Sequence, residues 1–241
     1  MTVHLNDIYL ILVGFLSEVL GTLSGFGSST FFVPAALTLK SFDFVLALTG
    51  ILHCFGNLFR IAMFYQAFDW KQFSKFAVLF IGFTGVGALL TGYVGSKWME
   101  LALGIFLVLY GLVAWFRLDQ IQSLPKSVSV FLMGASGFST GLIGTGGALR
   151  GVSLSAMGLS KEAFIFTSAG IDLFGDLLRT GIYLVQGYME WDQWFYIPLL
   201  GGAALCGSFV GKRILNRMDQ RQFERVVAVF VFLSGIGILV N

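Results

Sequence analysis

The chain has 241 residues, of which 56% are hydrophobic and only 12% are charged, a composition outside the usual range of water-soluble globular proteins. Its mean hydropathy is +0.85, and apolar runs long enough to cross a hydrocarbon core of about 30 Å fill nearly the whole sequence. A net charge of +2, without basic residues gathered beside aromatic ones, excludes nucleic acid as an expected partner. We therefore expect a polytopic membrane protein whose function lies within or across the bilayer.

Eight apolar segments follow one another, with one polar interruption at residues 117–126. They cover residues 8–38, 43–68, 74–95, 98–116, 128–157, 162–187, 192–212 and 222–240. The interruption holds Pro125, one of only three prolines, which favours a boundary there. We predict an all-α membrane protein with a first transmembrane repeat at 1–118, a linker at 119–127 and a second transmembrane repeat at 128–241.

Glycines interrupt the first and fifth segments, which are too long for one straight span. The positions are Gly25 and Gly27 in the first segment and Gly144, Gly146 and Gly147 in the fifth. At an offset of 119 positions, Gly25 matches Gly144 and Gly27 matches Gly146. Non-helical backbone at membrane depth needs a cavity or protein groups to satisfy its hydrogen bonds, so the matched breaks predict a cavity. The alternative is that the glycines only allow tight helix packing.

Groups that suit an oxyanion cluster at both breaks. Ser28, Ser29 and Thr30 begin the half-helix after the first break, where hydroxyls and free backbone N–H groups form a cradle. Gly146 and Gly147 offer the same cradle without side-chain donors. The breaks therefore indicate an anion site.

The second and sixth segments contain matching stretches at residues 53–60 and 172–179, again 119 positions apart. Both stretches carry Phe, Gly, Leu and Arg at equivalent positions, and Asn57 corresponds to Asp176. At helical spacing the polar residues of each stretch share one face. They are His53, Asn57 and Arg60 in the first stretch and Asp172, Asp176 and Arg179 in the second. This pattern predicts a duplicated unit whose polar stripes face a common interior.

Ionisable side chains inside apolar helices cost roughly 2.5 to 3.5 kcal/mol each, so they need a partner or a wet cavity. The candidates are Glu18, His53, Arg60, Arg150, Asp172, Asp176 and Arg179. Three alternatives stay open: the two duplicated arginines extend to the lipid headgroups, the aspartates form a structural ion pair with Arg179, and His53 is a core histidine. Glu18 matches Gly137 and is either proton-sensitive or a partner of an arginine.

We expect Arg60 and Arg179 to hold a small anion, because a guanidinium offers a planar fork to sulfo, phospho or carboxylate oxygens. Further ligands would be Ser28, Ser29, Asn57 and the backbone of Gly25, Gly27, Gly144, Gly146 and Gly147. His53, Asp172, Asp176 and Glu18 would hold protons or orient the arginines. Three arginines balance three carboxylates, so a divalent anion would stay uncompensated unless one group took up a proton. This predicts proton coupling or a preference for a monovalent substrate.

Nothing in the sequence indicates an enzyme, a cofactor or a metal site. No G-x-S-x-G, H-E-x-x-H or Cys/His cluster occurs, and residues 144–147 lack the Gly-Lys-Ser/Thr ending of a phosphate loop. Cys54 and Cys206 lie inside apolar segments, where we expect small apolar side chains. The first thirty residues lack the basic region and cleavage site of a signal peptide, so we expect the first apolar segment to be retained.

Two topologies remain open. Four spans in each repeat would make the repeats parallel, whereas glycine-broken segments that enter and leave by one face would make them inverted. Basic residues concentrate between the seventh and eighth segments, which favours a cytoplasmic location for that loop. They are Lys212, Arg213, Arg217, Arg221 and Arg225.

The duplicated glycine breaks, the second one reading Gly141-Leu142-Ile143-Gly144-Thr145-Gly146-Gly147, resemble the sulfite exporter TauE/SafE family of membrane permeases. Thr167-Ser168-Ala169 ahead of the Asp/Arg stretch is similar to the second half of that family. The resemblance implies a multi-pass transporter of sulfur-containing oxyanions or organosulfonates in the bacterial inner membrane. Two positions depart from the pattern: Ser153 replaces an expected proline, and Arg150 replaces an apolar residue.

The function that we expect is secondary transport of a small, sulfite-like anion. The expected partners are that anion and the lipid bilayer, and a homo-oligomer is left open. A passive anion channel is the first alternative, and its flux would not saturate. A membrane sensor or assembly factor that transports nothing is the second.

Overall fold

The computed structural model describes residues 5–25, 27–65, 70–94, 96–117, 125–155, 159, 161–215, 232, 236 and 239. Most of the predicted linker at 119–127 and of the eighth apolar segment at 222–240 lies outside these described residues. Of the basic residues between the seventh and eighth segments, Arg217, Arg221 and Arg225 also lie outside them.

The described residues form helices joined by short turns. The α-helices are α1 (Leu5–Ser24), α2 (Ser28–Leu37), α3 (Phe42–Met63), α4 (Trp70–Leu90), α5 (Ser96–Arg117), α6 (Lys126–Ile143), α7 (Gly147–Ser155), α8 (Lys161–Val185) and α9 (Tyr196–Leu215). Short 3-10 turns cover Thr91–Tyr93 and Trp191–Gln193. The prediction of an all-α protein is confirmed, because no strand occurs among the residues that are described.

Several of these helices are long and apolar enough to cross a membrane. Within the described part of the chain they number four: Leu5–Ser24, Phe42–Met63, Phe73–Tyr93 and Trp191–Leu215. Their apolar outer faces would meet lipid, whereas polar side chains concentrate where α1, α3 and α8 face the interior. This distribution is that of a membrane protein.

Glycine conformations end α1 and α6 and allow new helices to begin. Gly25 and Gly27, between α1 and α2, have φ angles of +76° and +83°, and Gly144, after α6, has a φ angle of +78°. An L-residue with a side chain is strained at such angles, whereas glycine adopts them readily. The first predicted segment therefore consists of two helices, α1 and α2, and the fifth of α6 and α7.

The helices α1 and α2 fold back on each other as a hairpin. The side chain of Lys40, which follows α2, lies 3.8 Å from that of Asp7 in the first turn of α1. A Cβ placed on Gly21, near the end of α1, would lie 2.6 Å from the Cβ of Ser28 at the start of α2. Both ends of this hairpin are thus close together, and its glycine turn is the tip.

The helices α6 and α7 form a second hairpin of the same kind. The Ser153 hydroxyl in α7 donates a 2.6 Å hydrogen bond to the Ser129 carbonyl in the first turn of α6. The two tips meet, since a Cβ placed on Gly147 would lie 2.7 Å from the Gly27 nitrogen. No side chain larger than hydrogen fits at this contact without a shift of the backbone.

The long helices α3 and α8 cross the centre of the molecule in opposite directions. Asn57 contacts Asp176, whereas Cys54, earlier in α3, contacts Thr180, later in α8. Gly50, earlier still, also packs against Thr180. The remaining helices surround this pair, with α4 packed closely on α6 and α1 on α9. Polar side chains of both hairpins and of both central helices consequently face one interior.

Candidate functional site

The interior between the hairpins and the central helices contains every ionisable side chain singled out from the sequence. None of the following is more than 6% exposed: Glu18, His53, Arg60, Arg150, Asp172, Asp176 and Arg179. Neither Arg60 nor Arg179 extends to the surface of the molecule, so they do not reach lipid headgroups. Buried charges of this kind require ionic partners.

Arg60 is held by close contacts on all three guanidinium nitrogens. Its Nη2 forms an ion pair with the Glu18 carboxylate. Its Nη1 donates a 2.7 Å hydrogen bond to the Asn57 amide oxygen, and its Nε donates a 3.2 Å bond to the Thr22 hydroxyl. Glu18 is therefore the partner of an arginine, one of the two roles expected for it.

Arg179 is held more loosely at its outer nitrogens. Its Nε donates a 2.7 Å hydrogen bond to Asp176 within α8. Its Nη1 lies 3.4 Å from the Thr140 carbonyl oxygen, and its Nη2 lies 3.4 Å from His53 Nδ1. The Tyr183 side chain also interacts with this guanidinium. Contacts of 3.4 Å are weak hydrogen bonds, and a guanidinium has five N–H groups, so Arg179 retains donor capacity for a ligand.

The two duplicated stretches are joined directly. The Asn57 amide nitrogen donates a 2.8 Å hydrogen bond to Asp176 Oδ2. His53 Nε2 lies 2.9 Å from the Ser28 hydroxyl, and His53 Nδ1 lies 3.6 Å from Asp176 Oδ2. His53 therefore links the tip of the first hairpin to the charged groups of α8 and is not surrounded by apolar side chains alone.

Asp172 does not join this group through Arg179. Its carboxylate forms an ion pair with Arg150 on α7, and Arg150 Nε donates a 3.0 Å hydrogen bond to the Ser168 hydroxyl. The Arg150 guanidinium also lies over the Phe80 ring, 5.3 Å from its centroid. Of the two aspartates considered as partners of Arg179, only Asp176 pairs with it.

Hydroxyl groups connect the tips of the two hairpins. Ser29 donates a 3.2 Å hydrogen bond to the Thr145 hydroxyl, and Thr30 Oγ1 lies 3.2 Å from the same oxygen. The first turn of α2 begins at Ser28 after Gly27, which provides no side-chain cap. The N-termini of α2 and α7 thus approach each other with their partial positive charges, an arrangement that favours an anion between them.

The structure brings most of the predicted site residues into one group and leaves Asp172 in a separate pair with Arg150. Ser28, His53, Asn57, Asp176 and Arg179 form a continuous chain of contacts, which Arg60 and Glu18 extend. The predicted glycines lie at the hairpin tips. Ser29 faces Thr145 instead of an arginine.

Sequence reasoning did not identify four contributing residues: Thr22, Thr140, Thr145 and Ser168. A hydroxyl in an apolar helix is too common to signal a site, and each of these becomes informative only through a partner on another helix. Thr145 has a weak signal in the sequence, because it lies between Gly144 and Gly146.

A family model matches residues 10–238 of the chain, and its description is Sulfite exporter TauE/SafE. Neither a curated protein nor a solved structure matches the chain. The family implies a membrane transporter of sulfite-like anions, in agreement with the buried arginines and the converging helix N-termini described above. Because the match covers nearly the full length, the chain belongs to the sulfite exporter TauE/SafE family.

Proposed function

We propose that this protein is a secondary transporter that moves a small sulfur-containing oxyanion or organosulfonate across the bacterial inner membrane. The observation that carries the proposal is the fully buried guanidinium of Arg179, whose outer nitrogens make only 3.4 Å contacts with the Thr140 carbonyl oxygen and with His53. Such a group, away from water, binds a sulfo or sulfite group through two parallel hydrogen bonds.

Arg179 and Arg60 have different roles in the proposed transporter. Arg179 is the main ligand of the anion, because its Nη1 and Nη2 contacts are both 3.4 Å long. Arg60 adds positive potential and fixes Asn57, since its own nitrogens have closer partners. Ser28, Ser29 and the backbone N–H groups after Gly27 and Gly146 supply further donors. Asn57, Asp176 and Glu18 orient the arginines.

We further propose that the protein consists of two homologous halves in inverted orientation. Matching positions, Asn57 and Asp176, touch each other, and the helices that carry them run in opposite directions. A two-fold axis that relates two antiparallel helices is perpendicular to both. Because these helices cross the membrane, that axis would lie in the membrane plane. With the apolar segments that the sequence predicts at 98–116 and 222–240, each half would have one re-entrant hairpin and three crossing segments.

This topology provides a route for alternating access. In the proposed topology the open ends of the hairpins lie at opposite faces of the membrane, and the tips meet near residues 27 and 147. A small separation of one hairpin from the central helices would expose the Arg179 side chain to one face while the other hairpin keeps the opposite face closed. The glycine-bounded tips are the hinges of this movement, and the anion is carried between the faces.

Proton coupling follows from the charges around His53. The interior holds three ion pairs, each without net charge, so a bound divalent anion adds uncompensated charge. The pairs are Glu18–Arg60, Asp172–Arg150 and Asp176–Arg179. In the neutral tautomer of His53 that carries its proton on Nε2, Nδ1 accepts from Arg179. In protonated His53, Nδ1 donates toward Asp176 and no longer accepts from Arg179. Proton uptake therefore adds a positive charge and releases an arginine nitrogen for the substrate.

A melting-temperature screen of the purified protein in detergent tests the proposal. The ligands are sulfite, thiosulfate, sulfate, sulfoacetate, taurine and simple carboxylates. A bound anion stabilises the fold by mass action, by about 2.7 kcal/mol at a concentration 100 times Kd. Arg179→Lys keeps the charge beside Asp176 but removes the planar fork, and it should abolish the shift.

Arg213→Lys is the matched control, because Arg213 is exposed at the end of α9, where it lies over the Phe209 ring. This variant should retain the full anion-dependent shift. A wild-type protein that none of the sulfur anions stabilises would refute the proposed substrate class and favour a sensor or assembly role.

A further inference from the structure

Thr140, in the second hairpin, has a buried hydroxyl that takes no part in the hydrogen bonds of the site. The residue lies in the last turn of α6, is 4% exposed, and its Oγ1 has no hydrogen-bond partner among the described residues. A hydroxyl buried without a partner is unfavourable, so its presence calls for a ligand or a functional explanation.

Other buried threonines in these helices do not share this feature. Thr49 donates a 2.6 Å hydrogen bond to the carbonyl of Val45, and Thr84 donates a 2.7 Å bond to that of Phe80, both four residues earlier. This local bond is the ordinary one for a helical threonine. Thr140 has Ser136 at the same spacing and does not make the bond. Its hydroxyl is directed elsewhere.

The hydroxyl of Thr140 points to the tip of the second hairpin. A Cβ placed on Gly146 would collide with the Ser136 carbonyl oxygen and with Thr140 Oγ1, so both oxygens lie beside the backbone that leads into α7. The Thr140 carbonyl oxygen contacts Arg179 Nη1 at 3.4 Å. One orphan donor, one loosely held guanidinium and one helix N-terminus therefore converge, and all three favour the same ligand, an oxyanion.

The first hairpin also has a hydroxyl close to its tip, and there the hydroxyl has a hydrogen-bond partner. At the offset of 119, Thr140 corresponds to Gly21, and Gly147 corresponds to Ser28. At this pair of positions each hairpin thus has one hydroxyl, on the second arm in the first hairpin and on the first arm in the second. In the first half, Ser28 contacts His53 at 2.9 Å, whereas in the second half the hydroxyl of Thr140 is unpaired. The two halves are not equivalent as ligand sites.

We propose that Thr140 Oγ1 donates a hydrogen bond to one oxygen of the transported oxyanion, in a subsite completed by Arg179 and the first N–H groups of α7. The inference rests on the proposed function and makes it more specific, because it locates the anion in the second half of the protein. The threonine selects for a substrate group with at least two free oxygens, one for Arg179 and one for Thr140.

Binding measurements on purified protein with sulfite, thiosulfate and sulfoacetate test this subsite. Thr140→Val should weaken binding about tenfold or more, the usual effect of losing one hydrogen bond to a charged group. The ligand-free melting temperature of this variant should not fall and should rise slightly, because no hydrogen bond within the protein is lost. Thr140→Ser should restore binding to within about threefold of wild type.

Thr49→Val is the matched control, since it makes the same substitution at a buried helical threonine whose hydroxyl is already satisfied. It should lower the melting temperature and leave anion affinity unchanged. If Thr140→Val binds the anions as tightly as wild type while Arg179→Lys does not, the threonine subsite is refuted and the proposed function stands. If the wild-type protein binds none of these anions, the proposed function fails and the subsite with it.

Discussion

Asn57 donates a 2.8 Å hydrogen bond to Asp176, the residue that occupies the equivalent position 119 places later in the chain. Each of the two is also bonded to the arginine three positions after it, Asn57 to Arg60 at 2.7 Å and Asp176 to Arg179 at 2.7 Å. The arrangement is nearly symmetric in geometry and asymmetric in charge. One amide faces one carboxylate, and this difference leaves the two arginines with different partners.

The amide–carboxylate contact predicts strong coupling between positions 57 and 176. Asp176→Asn leaves Arg179 buried without its carboxylate, and we expect a loss of about 3 to 5 kcal/mol in the free energy of unfolding. Asn57→Asp places two buried carboxylates side by side and is also destabilising. The double variant restores one amide facing one carboxylate, so it should be at least about 1 kcal/mol more stable than additivity predicts.

Chemical unfolding of the four proteins in detergent measures this coupling. Asp192→Asn is the control, because Asp192 is exposed in the turn before α9, and its effect should stay within about 0.5 kcal/mol. Strict additivity of the two central substitutions would show that the contact between the halves contributes nothing specific.

The proposed inverted topology predicts on which side of the membrane two loops lie. Leu39 follows α2 and Leu159 precedes α8, so each marks the open end of one hairpin. With Cys54 and Cys206 replaced by serine, Leu39→Cys and Leu159→Cys should react with an impermeant thiol reagent from opposite sides of oriented vesicles. Parallel repeats of four spans would instead place both residues on the same side.

The contact between the hairpin tips predicts sharply different effects for two glycine substitutions. A Cβ at position 147 would lie 2.7 Å from the Gly27 nitrogen, whereas a Cβ at position 181 of α8 would have nothing within 4 Å among the described residues. Gly147→Ala should therefore cost about 1 to 3 kcal/mol of stability through overpacking and should reduce anion binding. Gly181→Ala should change both by little. Melting curves with and without sulfite compare them, and equal effects would argue against tips in contact.

His53 predicts a pH dependence of binding for a substrate whose own charge is constant. Thiosulfate serves this purpose, and its affinity should rise as the pH falls. The direction follows because protonated His53 adds positive charge beside the anion and releases Arg179. In His53→Gln, titration calorimetry should give a nearly constant affinity as the pH falls. A variant that keeps the full dependence would assign the proton to another group.

Burial of the charged residues is the part of the site that sequence reasoning predicted best. A charge such as Arg179 or Asp176 in the middle of an apolar helix cannot face lipid cheaply, so composition alone indicates an interior position. Helical spacing also predicted that Asp176 and Arg179 share a face, and the two are bonded. These properties depend on local sequence.

The sequence did not predict which side chains on different helices are partners. Asp172 bonds Arg150 on α7, because helix packing brings these two side chains together, and no spacing rule within α8 predicts it. The direction of α2 after Gly27 was also open, since a glycine break permits a reversal as readily as a bend. Thr140 was missed for a third reason: an unsatisfied hydroxyl becomes visible only when its surroundings are known.

The most direct test of the central claim, that Arg179 binds a transported oxyanion, is counterflow of radiolabelled sulfite in proteoliposomes. Wild-type protein and Arg213→Lys should show saturable exchange that unlabelled thiosulfate or sulfoacetate competes with, and Arg179→Lys should lose at least about 90% of it, as expected for loss of a bidentate contact. Sulfite exchange by Arg179→Lys at the wild-type rate would contradict this claim. Sulfite flux through the wild-type protein that does not saturate would contradict it as well.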